Sequence, residues 1–171
     1  MTARHDHSTA RPRLGRYEID TAASSLTFVT RHVFGLLPVR GSFSIGAGTV
    51  DVAEPPDDSR VHVEIETASF HTGNGARDAS VLSPRFLDAA RHPLITFDSA
   101  RLDGTALTGT LTACGMSRPV TLEIERSDVA PDVLTARATA RVDRTAFGVT
   151  ASRGMAGRHL DLTLDIRCAR S

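Results

Sequence analysis

Leu160-Asp161-Leu162-Thr163-Leu164-Asp165-Ile166-Arg167 decides the fold of this chain. Aliphatic and polar residues alternate through it with a period of two. Successive side chains of a strand point to opposite faces, so the stretch predicts a strand with one dry and one wet face. The pattern recurs upstream. Val61, Val63 and Ile65 alternate with His62, Glu64 and Glu66, and Val120, Leu122 and Ile124 with Thr121, Glu123 and Glu125. One-sided strands belong to antiparallel sheets, since a parallel sheet is covered on both faces. Asp103-Gly104, flanked by strand-like runs, marks a tight hairpin.

Working outward, further strands are expected near 17–21, 25–33, 39–50, 94–102, 105–113 and 133–142. Gly46 and Gly48 are set to bend or break the third of these, and Pro55-Pro56-Asp57-Asp58 reads as a turn. The total is about eight or nine strands, with a helix-like interruption at 74–88. There Asn74 is the expected cap of a short helix through Leu82, and Ser83-Pro84 starts another turn carrying Phe86 and Leu87. A one-sided sheet of this size closes into a barrel or packs on a second layer. No long amphipathic helix is available as cover, which leaves a barrel or a sandwich. On 133–142 the dry face reads Leu134, Ala136, Ala138, Ala140 and Val142. Three alanines in succession leave space for large side chains opposite, or for a ligand. With no Trp, one Tyr and seven Phe, the chain is poor in large fillers.

Composition narrows the function. At 171 residues and 40% hydrophobic, the chain is one folded domain, with 1–14 as a polar tail and 15–171 as the body. Twenty basic residues balance twenty acidic ones, with no basic block along the body, which argues against nucleic-acid partners and anionic membrane surfaces. Every basic residue is Arg, so chemistry that needs a lysine amine is excluded. The N-terminal stretch lacks an apolar secretory core and no run reaches membrane-spanning length; the expectation is a cytoplasmic protein without stable membrane insertion. Cys114 and Cys168 are far apart and lack metal-binding spacing; reduced thiols are expected, with pairing left open. Gly-x-Ser-x-Gly, His-x-x-x-His and Cys-x-x-Cys motifs do not occur, so no catalytic residue, metal ligand or cofactor is assigned.

Several motifs then line up in order. Tyr17-Glu18-Ile19-Asp20 and Ser25-Leu26-Thr27-Phe28-Val29 with His32 lead into Val39-Arg40-Gly41-Ser42-Phe43. Thr72-Gly73-Asn74-Gly75-Ala76-Arg77-Asp78 follows, with Ser83, Phe86, Asp88, Pro93 and Thr96-Phe97. Gly109-Thr110-Leu111-Thr112, Gly115, Arg118-Pro119-Val120, Asp143-Arg144 and Phe147-Gly148 complete the series. Over residues 15–168 the chain resembles the YceI-like family. The resemblance implies an all-β, antiparallel, lipocalin-like barrel that binds a polyisoprenoid or another long-chain lipid. His71, Ser80, Arg85, Leu87 and His92 depart from the family's usual residues in or beside the helical interruption, which bears on the ligand more than on the fold.

On this reading the protein is a carrier, not an enzyme, holding an isoprenoid, isoprenoid quinone or fatty-acid-like chain. Phe28, Phe43, Phe86, Leu87, Phe97 and Phe147 are the candidate cavity wall. Arg77 and Arg144 are candidates for a diphosphate or carboxylate head; the competing reading gives Arg77 and Asp78 structural partners that pin the helix. His32 shares the face of Leu26, Phe28 and Thr30 and is a candidate ligand contact or structural hydrogen-bonding group. The alternative function is a small hydrolase or isomerase of an apolar substrate with His32 as acid/base. His62, His71, His92 and His159 share no spacing, and His5 and His7 flank Asp6 in the tail. Exposed strand edges and the family's tendency imply a homodimer.

Overall fold

The computed structural model describes residues 13–32, 37–151 and 157–171, the side chain of His32 excepted. Its elements run β1 (Gly15–Ile19), β2 (Ser25–His32), β3 (Leu37–Val52), β4 (Arg60–His71), α1 (Gly75–Leu82), β5 (Leu94–Asp103), β6 (Ala106–Ala113), β7 (Met116–Ala130), β8 (Val133–Asp143) and β9 (His159–Arg170). All pairings are antiparallel, and β3 bonds to β4 to close the ring. Between β3 and β9 one place in the wall is shared. β2 fills it at one end, pairing Leu26 with Phe43 and with Leu164. β1 fills it at the other, pairing Tyr17 with Val50 and with Arg170. Nine strands therefore build an eight-strand barrel. Closure removes the sheet edges that a sandwich would leave, and it resolves the barrel-or-sandwich alternative.

The period of two holds where the sequence is strictest. Val63 and Ile65 of β4, Leu122 of β7 and Leu164 of β9 are buried, while Glu66, Glu123, Asp161 and Arg167 are exposed. Gly46 lies in a register shift between Ile45 and Ala47 that does not end β3, while Gly48 pairs in register with Val63. The β5–β6 hairpin is displaced by one residue from the Asp103-Gly104 expectation: Asp103 pairs with Ala106, and Gly104-Thr105 makes the turn. A second two-residue turn, Cys114-Gly115 between paired Ala113 and Met116, carries positive φ at both residues, 53° and 73°. That turn is hidden in the sequence, because Cys rarely adopts the left-handed conformation this hairpin type requires.

Inside the barrel the packing is uneven. Tyr17 and Cys168 are fully buried towards the β1 end, and Leu26, Val63 and Phe97 fill the middle. Yet Val133–Ala140 of β8 are only half-buried, as are Leu160, Leu162 and Ile166. Leu160, Leu162, Leu164 and Ile166 all border internal voids. The dry face is thus partly unfilled, which resolves the packed-or-hollow alternative in favour of a hollow interior.

Candidate ligand-binding site

A void of about 330 Å³ lies at the end where β2 finishes, β3 begins and α1 folds across from β4. Its size is that of a small-molecule site. Phe28, Phe43 and Phe70 make one wall, with ring centroids 5.3–5.7 Å apart. Gly41 seats this cluster, since a Cβ there would collide with the Phe28 ring and come within 2.7 Å of the His71 carbonyl. Phe86 and Leu87 enter from the turn after α1, and Arg77, Ser80 and Val81 from α1 itself. This turn is held by Phe86 N–H donating to the Ser83 carbonyl and Leu87 N–H to that of Val81.

Local chemistry explains how α1 is fixed. Asn74 caps it by accepting from the Arg77 amide at 3.0 Å. Asp78 accepts from the Thr72 amide (3.1 Å) and hydroxyl (2.6 Å), and these bonds outweigh burial and hold its carboxyl below the usual range. His71 lies 3.6 Å from the same carboxylate. The structural reading therefore holds for Asp78 and not for Arg77. The half-buried Arg77 side chain makes no hydrogen bond or ion pair among the described residues and borders the chamber.

Arg144 sits in a 3-10 turn over Arg144–Phe147, capped by Asp143, which accepts from the Thr145 amide at 2.9 Å. Arg158 reaches the same carboxylate at 2.9 Å; these partners hold Asp143 far below the ordinary carboxylate range. Arg144 donates to the carbonyls of Gly157 (2.7 Å) and Val149 (2.9 Å) and lies 5.7 Å from the Phe86 ring centre. Two of its donor nitrogens already serve the backbone, so its first role is to tie the loops of the rim together.

Below the chamber a void of about 100 Å³ continues the apolar interior, with Phe147, Leu26 and Cys114 among its walls. Cys114 and Cys168 are both free thiols; burial raises both, Cys168 to about 11. Deeper still, the interior narrows to about 30 Å³ at Phe97, then widens to about 290 Å³ at the opposite end.

Of the residues singled out in the sequence, Phe28, Phe43, Arg77, Phe86, Leu87 and Arg144 come together around the main chamber. Phe147 belongs to its continuation, and Phe97, 4% exposed, to the constriction; neither borders the main chamber. The side chain of His32 and the tail residues His5, Asp6 and His7 lie outside the described residues. Phe70 was missed. The inward phase of Val63, Ile65 and Thr67 predicts that residue 70 points out, but β4 slips there: Ser42 pairs with His71 while Ser44 pairs with Glu66. That bulge reverses the phase; just before it the Thr67 hydroxyl, still in the inward phase, is buried without a hydrogen-bond partner among the described residues. The remaining histidines do not converge on the chamber; His62 meets Asp98 and Glu64 on the outer face, and His159 is exposed. No cluster of His, Cys, Asp and Glu suited to a metal ion forms among the described residues. No helix among them is long and apolar enough to cross a membrane.

Comparison with known proteins agrees with this architecture. A protein of Vibrio campbellii, named UPF0312, is 32% identical over 117 residues, covering 64% of this chain and 61% of its own length. This chain thus matches about three fifths of that relative. The crystal structure of Burkholderia cenocepacia BcnA superposes with a TM-score of 0.75 at 22% identity, covering 87% of this chain and 98% of that one. A polyisoprenoid binding domain from Saccharophagus degradans, implicated in plant cell wall breakdown, gives 0.72 at 13% identity, covering 93% and 100%. The model of the YceI-like domain matches residues 17–168, essentially the whole barrel, and this chain belongs to the YceI-like family.

Proposed function

We propose that the protein is a binding protein for a long-chain isoprenoid or acyl lipid, with the chain inside the barrel and an anionic head at Arg77. One observation carries the reading: a half-buried guanidinium without a hydrogen-bonding partner among the described residues borders an aromatic chamber of about 330 Å³. An apolar chain gains roughly 25 cal/mol for each Å² it removes from water, so the tail supplies affinity with no polar contact. The head supplies orientation, because a guanidinium donates in a planar fork that matches carboxylate or phosphate. The binding domain of Saccharophagus degradans supports the isoprenoid class by its shared fold.

The test compares geranylgeranyl phosphate with geranylgeraniol by calorimetry on delipidated protein. Charge-assisted hydrogen bonds contribute about 1.5–3 kcal/mol, so Arg77→Gln is expected to weaken the phosphate roughly ten- to a hundredfold. Binding of the alcohol is expected to stay within about twofold. Absence of binding of both by the unaltered protein refutes the carrier reading; equal loss for both ligands refutes the role of Arg77.

A further inference from the structure

The interior narrows sharply partway along the barrel. Between the two large voids lies a waist of Leu26, Val63, Phe97, Leu111, Leu122 and Leu164, each no more than 9% exposed. The space left there is about 30 Å³, roughly a tenth of either large void. Gly109 fixes the waist, because a Cβ at this position would meet the Phe97 ring at 2.7 Å. Beyond it the distal chamber, about 290 Å³, occupies the end opposite α1. That is roughly twice the 150 Å³ that holds a benzene ring in an apolar cavity.

The distal walls have their own chemistry. Ala136 and Ala138 of β8 leave the space, and Val61, Leu102 and Ile124 face it from other strands. Among the described residues no charged side chain borders it. Its rim meets solvent at exposed Gly104, Thr105 and Ser127, so it has a mouth distinct from the α1 end. The Thr105 hydroxyl is taken by Glu123, whereas that of Ser127 makes no hydrogen bond among the described residues. Such a chamber selects against ions and favours a neutral, largely apolar molecule.

We propose that this distal chamber is a second binding site, taking a small neutral apolar molecule independently of the lipid at the α1 end. The proposal does not depend on the long-chain reading, since the two sites differ in mouth, polarity and walls. The test titrates the delipidated protein with N-phenyl-1-naphthylamine, a small neutral fluorophore, and counts sites. The unaltered protein is expected to bind two equivalents. Ala138→Phe fills the distal chamber and is expected to leave one, and Leu87→Arg, at the other end, is expected to remove the other. Ala136→Leu serves where the Phe variant does not melt cooperatively. A single equivalent in the unaltered protein overturns the proposal. So does unchanged capacity in the folded alanine variants, or joint loss of both sites in either one. Failure of prenyl phosphate binding leaves the distal count unaffected and falls on the first reading alone.

Discussion

His62 shows how much of a residue's role depends on its neighbours across the sheet. Alternation assigns it to the wet face, and there Nδ1 lies 2.5 Å from Asp98 and Nε2 3.3 Å from Glu64. The Asp98 hydrogen bond raises the imidazole above its ordinary value against the opposing pull of burial. A raised folded value means that protonation favours the folded state: the contribution is complete below the unfolded value of about 6.5 and is lost as pH rises through the raised one. The melting temperature of the unaltered protein is therefore expected to exceed that of His62→Gln at pH 6, with the gap closing by pH 9. A gap independent of pH would show that the pair contributes no proton-linked stability. Individual partners such as Asp98, facing His62 through strand register, are not legible in the sequence. Neither is Phe70, whose direction depends on a bulge of several residues. The aromatics in regular strands, Phe28 and Phe43, are legible because their period is unbroken.

At the scale of the element, α1 is short and buries no residue completely. A helix of one or two turns is marginal by itself, so its place across the chamber depends on attachments at its first turn. Asn74 was legible as a cap, since few residues serve that role and a helical stretch follows directly. The Thr72–Asp78 contact was legible only as a structural tendency, because adjacent Arg77 and Asp78 point to different partners. Asp78→Ala removes the acceptor of both Thr72 bonds. Loss of bonds to a charged group worth about 1.5–3 kcal/mol is expected to speed amide exchange in 75–82 roughly ten- to a hundredfold. Exchange in β6 and β7 is expected to remain unchanged. Equal acceleration throughout the barrel would mean that α1 and the barrel open as one unit.

For the whole molecule, closure and hollowness act together. A hollow barrel forgoes contacts that a packed core would make, and an occupant restores them. A ligand that binds only the folded state at a hundred times its Kd adds about 2.7 kcal/mol. In a chain of this size that corresponds to a rise in Tm of roughly 5–10 °C. Scanning calorimetry of delipidated protein with and without geranylgeranyl phosphate checks this; an unchanged Tm at saturating ligand contradicts preferential binding to the folded barrel. The one-sided sheet and its alanine-lined face were legible because they follow from period and side-chain size. The waist was not, because it is assembled by residues from six strands whose common level depends on register.

The arrangement of β9 between β2 and β8 has a consequence for the order in which the molecule is made. Residues 160–167, the most regular strand in the sequence, emerge after every other strand of the barrel. Until they do, β1, β2 and β8 each keep a bare row of amides and carbonyls, and the apolar face is open to solvent. A growing chain therefore carries its greatest risk of association just before β9 emerges, and that strand covers the open edges of β1, β2 and β8 at once.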